Sequence, residues 1–157
     1  MNNILATMCY IDNGDNFLML KRNKKENDIH EGLTISVGGK FEAGESPEDC
    51  VIREVKEETN LDIIKPRLRG IITFPNFDGE KDWYTYVYTA PNYTGTLTDD
   101  CNEGDLIWVK KSEIQNIKTW GGDYIFLDWL VQEKPFFSAK FNYKNNKFID
   151  YEVTFYE

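Results

Sequence analysis

Residues 46–61, SPEDCVIREVKEETNL, carry the start and stop signals of a helix and an acidic stripe along it, and they constrain this chain more than any other stretch. Ser46 is a strong N-cap, Pro47 suits the first helical position, and Asp49 completes a capping-box pattern, which predicts a helix running to about Thr59. Glu54, Glu57 and Glu58 stand at i, i+3 and i+4, so their side chains fall on one arc of about 100°. Like charges at these spacings oppose the helix by a few tenths of a kcal/mol per pair. Arg53 and Lys56 cannot neutralise the whole arc. A solvated face built from good helix formers explains such a stripe by itself. A hard dication held through oxygens explains it too, because Mg²⁺ is commonly bound by one or two carboxylates together with substrate phosphates. The residues in front favour the dication. Gly38-Gly39 gives a backbone free to approach a ligand, and Glu45 is placed to pair with Arg53.

Charge narrows the partners. Eighteen basic and 27 acidic side chains give a net charge of −9, which repels a polynucleotide backbone. A small phosphorylated substrate remains compatible where cations screen the acids locally. Apolar residues at 41% and aromatics at 15% supply a packed core. No apolar run approaches the roughly 20 residues that span a bilayer. The first residues, MNNILATMCYID, lack a basic leader and a small-residue cleavage site, so a cytoplasmic protein without membrane partners is expected. Cys9, Cys50 and Cys101 are widely spaced and form no CxxC pair, which argues against a disulfide framework or a zinc site.

With no repeat, low-complexity tract or Gly/Ser linker, one domain over 1–157 is expected. Residues 3–11 and 17–22 read as strands around the hairpin signal Asn13-Gly14-Asp15-Asn16. A polar loop from Asn23 to Gly32 and a short extended piece lead to Gly38-Gly39. Beyond the acidic helix, 68–77 and 83–90 read as strands joined through Asp78-Gly79, and 106–109 as another. Residues 112–116 and 123–132 read as helical, the latter with Ile125, Phe126, Trp129 and Leu130 on or near one face. Residues 136–143 and 148–156 alternate like a closing hairpin around Asn145-Asn146. Mixed strands with two or three helices indicate α+β, or α/β with a mixed sheet.

The segment 39–61 resembles the Nudix box, in which a glycine, a glutamate and the run Arg-Glu-apolar-any-Glu-Glu-any-Gly-apolar recur at fixed spacing. Gly39, Glu45, Arg53, Glu54, Val55, Glu57, Glu58 and Leu61 match it. Asn60 stands where the family has glycine, just past the helix end. Asparagine is the next-best residue for a left-handed cap, so slightly lower stability and intact chemistry are expected.

The resemblance implies an α/β/α sandwich, a mixed sheet packed between helices, and hydrolysis of a nucleoside-linked diphosphate with Mg²⁺ or Mn²⁺. By motif match Glu54, Glu57 and Glu58 would hold the metal, with the Gly38 carbonyl completing its shell, while Arg53 and Glu45 orient loop and helix. Glu54 is the first candidate for the group that accepts the proton of the attacking water. Glu103 matches a later acidic position used for metal or base duty. Lys21 and Arg22 end the second strand where relatives place a base against phosphate. Gly39 and Lys40 border the same region.

Further segments, KRNKKENDIHEG, GIITFPNFDGEKDWYTYV, NEGDLIWV and KTWGGDYIFLDWL, resemble MutT-type 8-oxo-dGTP diphosphatases of Gram-positive bacteria, and more distantly oxidised-purine triphosphatases. That resemblance implies Trp120 stacking on the base, Asp123 accepting hydrogen bonds from its edge, and Phe74 and Trp83 as the opposite wall. Ile35 and Ser36 stand where those relatives read the purine with an asparagine, so base contacts are expected to be arranged differently. His30 is expected to be a surface-loop residue without special role. Two rivals remain: an ADP-ribose or nucleoside diphosphate-sugar pyrophosphatase, for which Pro75 is the one weak sign, and a nucleotide-sensing domain without activity. Monomer and homodimer both stay open.

Overall fold

A computed structural model describes residues 3–157. The predicted elements form close to their expected bounds. The first hairpin is β1 (Ile4–Asp12) and β2 (Asn16–Lys21), and its turn is held by Asn13 Oδ1, which accepts the Asn16 backbone N–H at 2.9 Å. A short β3 (Thr34–Ile35) precedes α1 (Pro47–Thr59). Short strands β4 (Asp62–Ile63) and β7 (Tyr93–Thr94) pair with each other and flank the long pair β5 (Arg67–Phe74) and β6 (Trp83–Ala90). β8 (Asp105–Lys110), a 3₁₀ turn at Lys111–Asn116, α2 (Asp123–Val131) and the hairpin β9 (Phe136–Lys144) and β10 (Lys147–Tyr156) complete the chain. Among the described residues no helix is long and apolar enough to cross a membrane.

One mixed sheet runs β10-β9-β5-β6-β1-β2-β3, with β8 also pairing β2. The β1–β6 and β5–β9 pairs are parallel. The period-2 alternation of the central strands sorts their side chains between two layers. Cys9, Ile11, Leu18, Leu20 and Tyr88 pack with Val51 and Val55 of α1. Tyr10, Phe17, Met19, Ile72 and Val87 pack with Phe126, Leu127 and Leu130 of α2. Each such side chain is worth about 1.5–3 kcal/mol when fully buried. This is the expected α+β sandwich. On α2, Leu127 is buried and Ile125 only partly so, because Trp129 and Phe126 are wedged among Phe137 and Phe141 of β9 and turn the helix face by that much.

The feature that builds the site is a split in this sheet. β1 and β2 share only the pairs Ile11–Leu18 and Asp12–Phe17. Further along, β2 pairs with β3 and β8, and the free edge of β1 is taken by residues 37–40. The Cys9 N–H donates to the Val37 carbonyl at 2.7 Å and the Thr7 N–H to the Gly39 carbonyl at 2.8 Å. Gly38-Gly39 is thereby fixed between β1 and α1.

Helix α1 begins and ends as its sequence predicts. Ser46 and Asp49 exchange side-chain to backbone hydrogen bonds, both at 3.1 Å. Asn60 adopts φ 67°, ψ 7°, and its Nδ2 donates to the Thr96 carbonyl at 3.1 Å, a contact that glycine lacks. The expected deficit against glycine is therefore partly offset. Asn60→Ala loses this bond and keeps the left-handed strain, so it should cost about 1–2 kcal/mol. For a chain of this size that is a fall in Tm of about 2–8 °C, and an unchanged melting curve would contradict the cap geometry.

Candidate active site

The acidic end of the site is organised by Arg53. Its Nε and Nη2 grip the Glu45 carboxylate at 2.6 and 2.9 Å, a bidentate pair that ties the loop before α1 to the helix. With the Glu42 backbone N–H also donating to Glu45, this carboxyl is held down at about 2. Arg53 Nη1 reaches Glu54 at 2.8 Å and Glu57 at 3.3 Å. Arg53 and Glu45, expected as braces, are thus brought together as an ion pair.

The three stripe glutamates divide by environment. Glu54 lies so close to Gly39 that a Cβ there would stand 2.4 Å from its carboxyl carbon. Burial lifts Glu54 above the ordinary carboxylate range, with Arg53 opposing. Glu58 is 9% exposed and its Oε1 accepts the Gly38 N–H at 2.9 Å. Burial raises it strongly, and the neighbouring acids Glu103 and Glu54 add to the rise. Glu57 faces outward, its side chain 57% exposed. Arg53 and the Gly38 N–H hold these carboxylates in separate positions. Among the described residues no three His, Cys, Asp or Glu side chains close on one point.

The donor set still fits a hard dication. Glu58, Glu54 and Glu103 would be its oxygen ligands: Glu103 and Glu54 raise the cost of ionising the buried Glu58, and a bound dication would reverse that sign. Gly38, whose N–H already anchors Glu58, brings its peptide into the same place.

Glu54 and Glu103 open into a cavity of about 560 Å³, while Glu58 lies outside its lining. Gly38, Gly39, Glu54 and Glu103 line one end. Trp120, Asp123, Phe77 and Tyr143 line the other. Phe74, Trp83, Ile35 and Ser36 also face it. Trp120 is 9% exposed and stands edge-on to Phe77 and Tyr143 at 5.0 and 5.6 Å. Phe77 touches Trp83 at 6.4 Å and Phe74 at 5.6 Å, so it bridges the two expected walls. Asp123 is buried in the first turn of α2, accepts the Thr119 hydroxyl at 3.2 Å, and is lifted by burial to about 7. Phe74 does double duty, 6% exposed in the core and still on the cavity wall.

The basic candidates part ways. Arg22 lines the cavity but is already engaged, Nε to Asp28 at 2.7 Å and Nη1 to Glu103 at 3.4 Å. Lys40 lines it too, with Nζ 5.3 Å above the Trp83 ring. Lys21 is exposed and lies outside the cavity lining.

His30 corrects its sequence expectation. It is half-buried, lines the cavity, and its Nδ1 accepts the Trp120 indole N–H at 2.8 Å. A polar loop with one histidine gives no local sign of a partner 90 positions away. Phe77 and Tyr143 were missed for a related reason: each belongs to an aromatic-rich stretch, and only the fold selects which rings face the cavity.

The chain resembles known proteins over most of its length. The NUDIX domain model matches residues 2–130. The uncharacterised Nudix hydrolase YvcI of Bacillus subtilis is 34% identical over 141 residues, covering 88% of this chain and 85% of that protein. An ADP-ribose pyrophosphatase of Methanocaldococcus jannaschii is 31% identical over 98 residues, covering 61% of this chain and 56% of that protein. The oxidized purine nucleoside triphosphate hydrolase of Mus musculus is 27% identical over 112 residues, 71% of each chain. In structure, a MutT protein from Bacillus halodurans superposes with a TM-score of 0.86 at 27% identity, over 96% of this chain and 97% of that one. The chain belongs to the Nudix family of hydrolases, which act on phosphate anhydrides.

Proposed function

We propose that this chain hydrolyses a purine nucleoside triphosphate to the monophosphate and pyrophosphate, with 8-oxo-dGTP as the favoured substrate, in a reaction dependent on Mg²⁺ or Mn²⁺. One observation carries the reading: a single cavity has a carboxylate cluster at one end and a Trp–Tyr–Phe enclosure with a buried acid at the other. That layout suits a ligand whose phosphates and flat base lie apart.

Glu54, Glu58 and Glu103, with the Gly38 carbonyl, would hold the dication, and Glu57 would join them if it left Arg53. When bound, such an ion neutralises the phosphates and lowers the pKa of water. Glu54 takes the proton as water attacks phosphorus, the bridging P–O bond breaks, and pyrophosphate leaves with the bond's electrons. The Lys40 carbonyl adjoins Arg53 while its Nζ rests over Trp83, so its ammonium would swing from that ring to meet a phosphate oxygen. Arg22 acts through Asp28 and Glu103 as much as through the substrate.

At the other end Trp120 gives the base an apolar face, and Asp123 offers carboxyl oxygens to its edge. A carboxyl held near 7 exchanges protonation states at neutral pH, so it can accept or donate a hydrogen bond. The products fit removal of oxidised guanine nucleotides before DNA synthesis.

The test is a panel of 8-oxo-dGTP, dGTP, ADP-ribose and diadenosine polyphosphates compared by kcat/KM with Mg²⁺. The expected order puts 8-oxo-dGTP first. The ADP-ribose pyrophosphatase of M. jannaschii makes ADP-ribose the second reading, and a clear preference for ADP-ribose would replace the first. Trp120→Ala should raise KM for purine substrates by about 10- to 100-fold, the worth of one base–aromatic stack. An unchanged KM would return Trp120 to a purely structural role.

A further inference from the structure

The wall of the cavity over Trp120 is made by the loop 23–33, and His30 is its point of contact. The Trp120 indole N–H donates to His30 Nδ1 at 2.8 Å, with the rings at 86° to one another. An indole only donates, so Nδ1 carries no proton and the imidazole's hydrogen sits on Nε2. Burial and the nearby Arg22 hold His30 in this neutral form, with Asp28 and Glu103 opposing more weakly.

The loop behind His30 is not slack. Asp28 accepts the His30 backbone N–H at 3.3 Å through Oδ1 and Arg22 Nε at 2.7 Å through Oδ2. The Arg22 and Asp28 side chains are 12% and 8% exposed. Nε2 has no protein acceptor among the described residues and is not fully buried, since the Tyr10 hydroxyl is the one fully buried side-chain polar atom left without a partner there, and His30 lines the cavity.

We propose that His30 is a specificity-determining residue of the base pocket: its Nδ1 fixes the rotation of the Trp120 indole, and its Nε2–H donates to a carbonyl oxygen on the substrate's base. The inference rests on reading the Trp120 end as the base pocket. It makes oxopurine nucleotides the class this chain takes, because an aminopurine presents a donor where His30 also donates. A second donor facing His30 would leave both unpaired, which is the strongest form of discrimination a small pocket has.

The experiment compares wild type, His30→Leu, His30→Asn, His30→Gln and Trp120→Ala on dGTP, 8-oxo-dGTP and dATP, with Tm recorded for each. His30→Leu removes both functions and should raise KM for the oxopurines about tenfold, one hydrogen bond's worth, with kcat within about threefold and a smaller rise for dATP, which loses only the positioning of Trp120. His30→Asn places an oxygen near the Nδ1 position, and His30→Gln a donor near Nε2. Each should recover part of the loss, the glutamine variant more of the oxopurine preference. An unchanged KM in His30→Leu overturns the proposal if Trp120→Ala raises KM, and leaves the base-pocket reading standing. If neither variant moves KM, that reading falls as well. Equal losses on dATP and dGTP, or a kcat loss with a lowered Tm that neither amide variant repairs, would reduce His30 to a loop brace and also overturn the proposal.

Discussion

Glu58→Gln should lower kcat/KM by about 10²–10³-fold while the protein stays folded. Glutamine has nearly the same shape, and its amide oxygen can still accept the Gly38 N–H that Glu58 Oε1 now takes at 2.9 Å. What disappears is the charge. Glu58 is buried beside Glu54 and Glu103, so its ionised form is costly in the absence of a cation, and a bound dication would offset that cost. The metal-free variant should therefore melt at or above the wild-type temperature. A rise in Tm on adding Mg²⁺, expected in the wild type from binding to the folded state alone, should shrink or vanish. Chelation with EDTA should abolish wild-type turnover. A near-normal rate in Glu58→Gln, or an undiminished response of Tm to Mg²⁺, would remove Glu58 from the metal set.

Gly38→Ala should be among the most destabilising single substitutions in the chain. Gly38 has φ +133°, a conformation that side-chain-bearing residues rarely adopt, and a Cβ there would lie 2.2 Å from the Thr7 carbonyl oxygen. The obstruction is backbone, so no rotamer change relieves it. The segment 37–40 would have to leave β1, losing the Cys9–Val37 and Thr7–Gly39 hydrogen bonds and the Gly38 anchor of Glu58. Strain and lost bonds together should exceed about 3 kcal/mol. At this chain length that corresponds to a fall in Tm of roughly 6–12 °C. Activity should fall further than stability, because the same peptide orders the carboxylates. Thermal melts and rates at a temperature where the variant is folded separate the two effects. A Tm within about 2 °C of wild type would mean that residues 37–40 do not occupy the edge of β1 as described.

Both substitutions act on the part of the site that was most legible in the sequence. The bounds of α1, its capping box, the Glu45–Arg53 pair and the left-handed Asn60 follow from interactions spanning at most eight residues. Spacing alone states such relations, since helix geometry converts it directly into position. The strands were legible for a similar reason: alternation and turn residues are local. The resemblance to the Nudix box then connected this local pattern with a chemistry.

The aromatic end was legible only as a set of residue types. Trp120, Asp123, Phe74 and Trp83 do line one cavity, yet Phe77 and Tyr143 complete it, and His30 bonds to Trp120 across 90 positions. Arg22 and Glu103, 81 positions apart, are brought into contact by the β2–β8 pairing. No periodicity encodes such contacts.

By itself, then, the sequence determined the helix that carries the acids, its caps, its brace and the strands around it, because each of these is set by neighbours along the chain. The tertiary structure alone decided that Glu57 faces outward while Glu58 is buried beside Glu103, that residues 37–40 replace β2 on the edge of β1, and which aromatic rings close over the cavity. Those outcomes depend on where the sheet splits and on which faces α1 and α2 cover, and both are settled by packing between segments far apart in the chain.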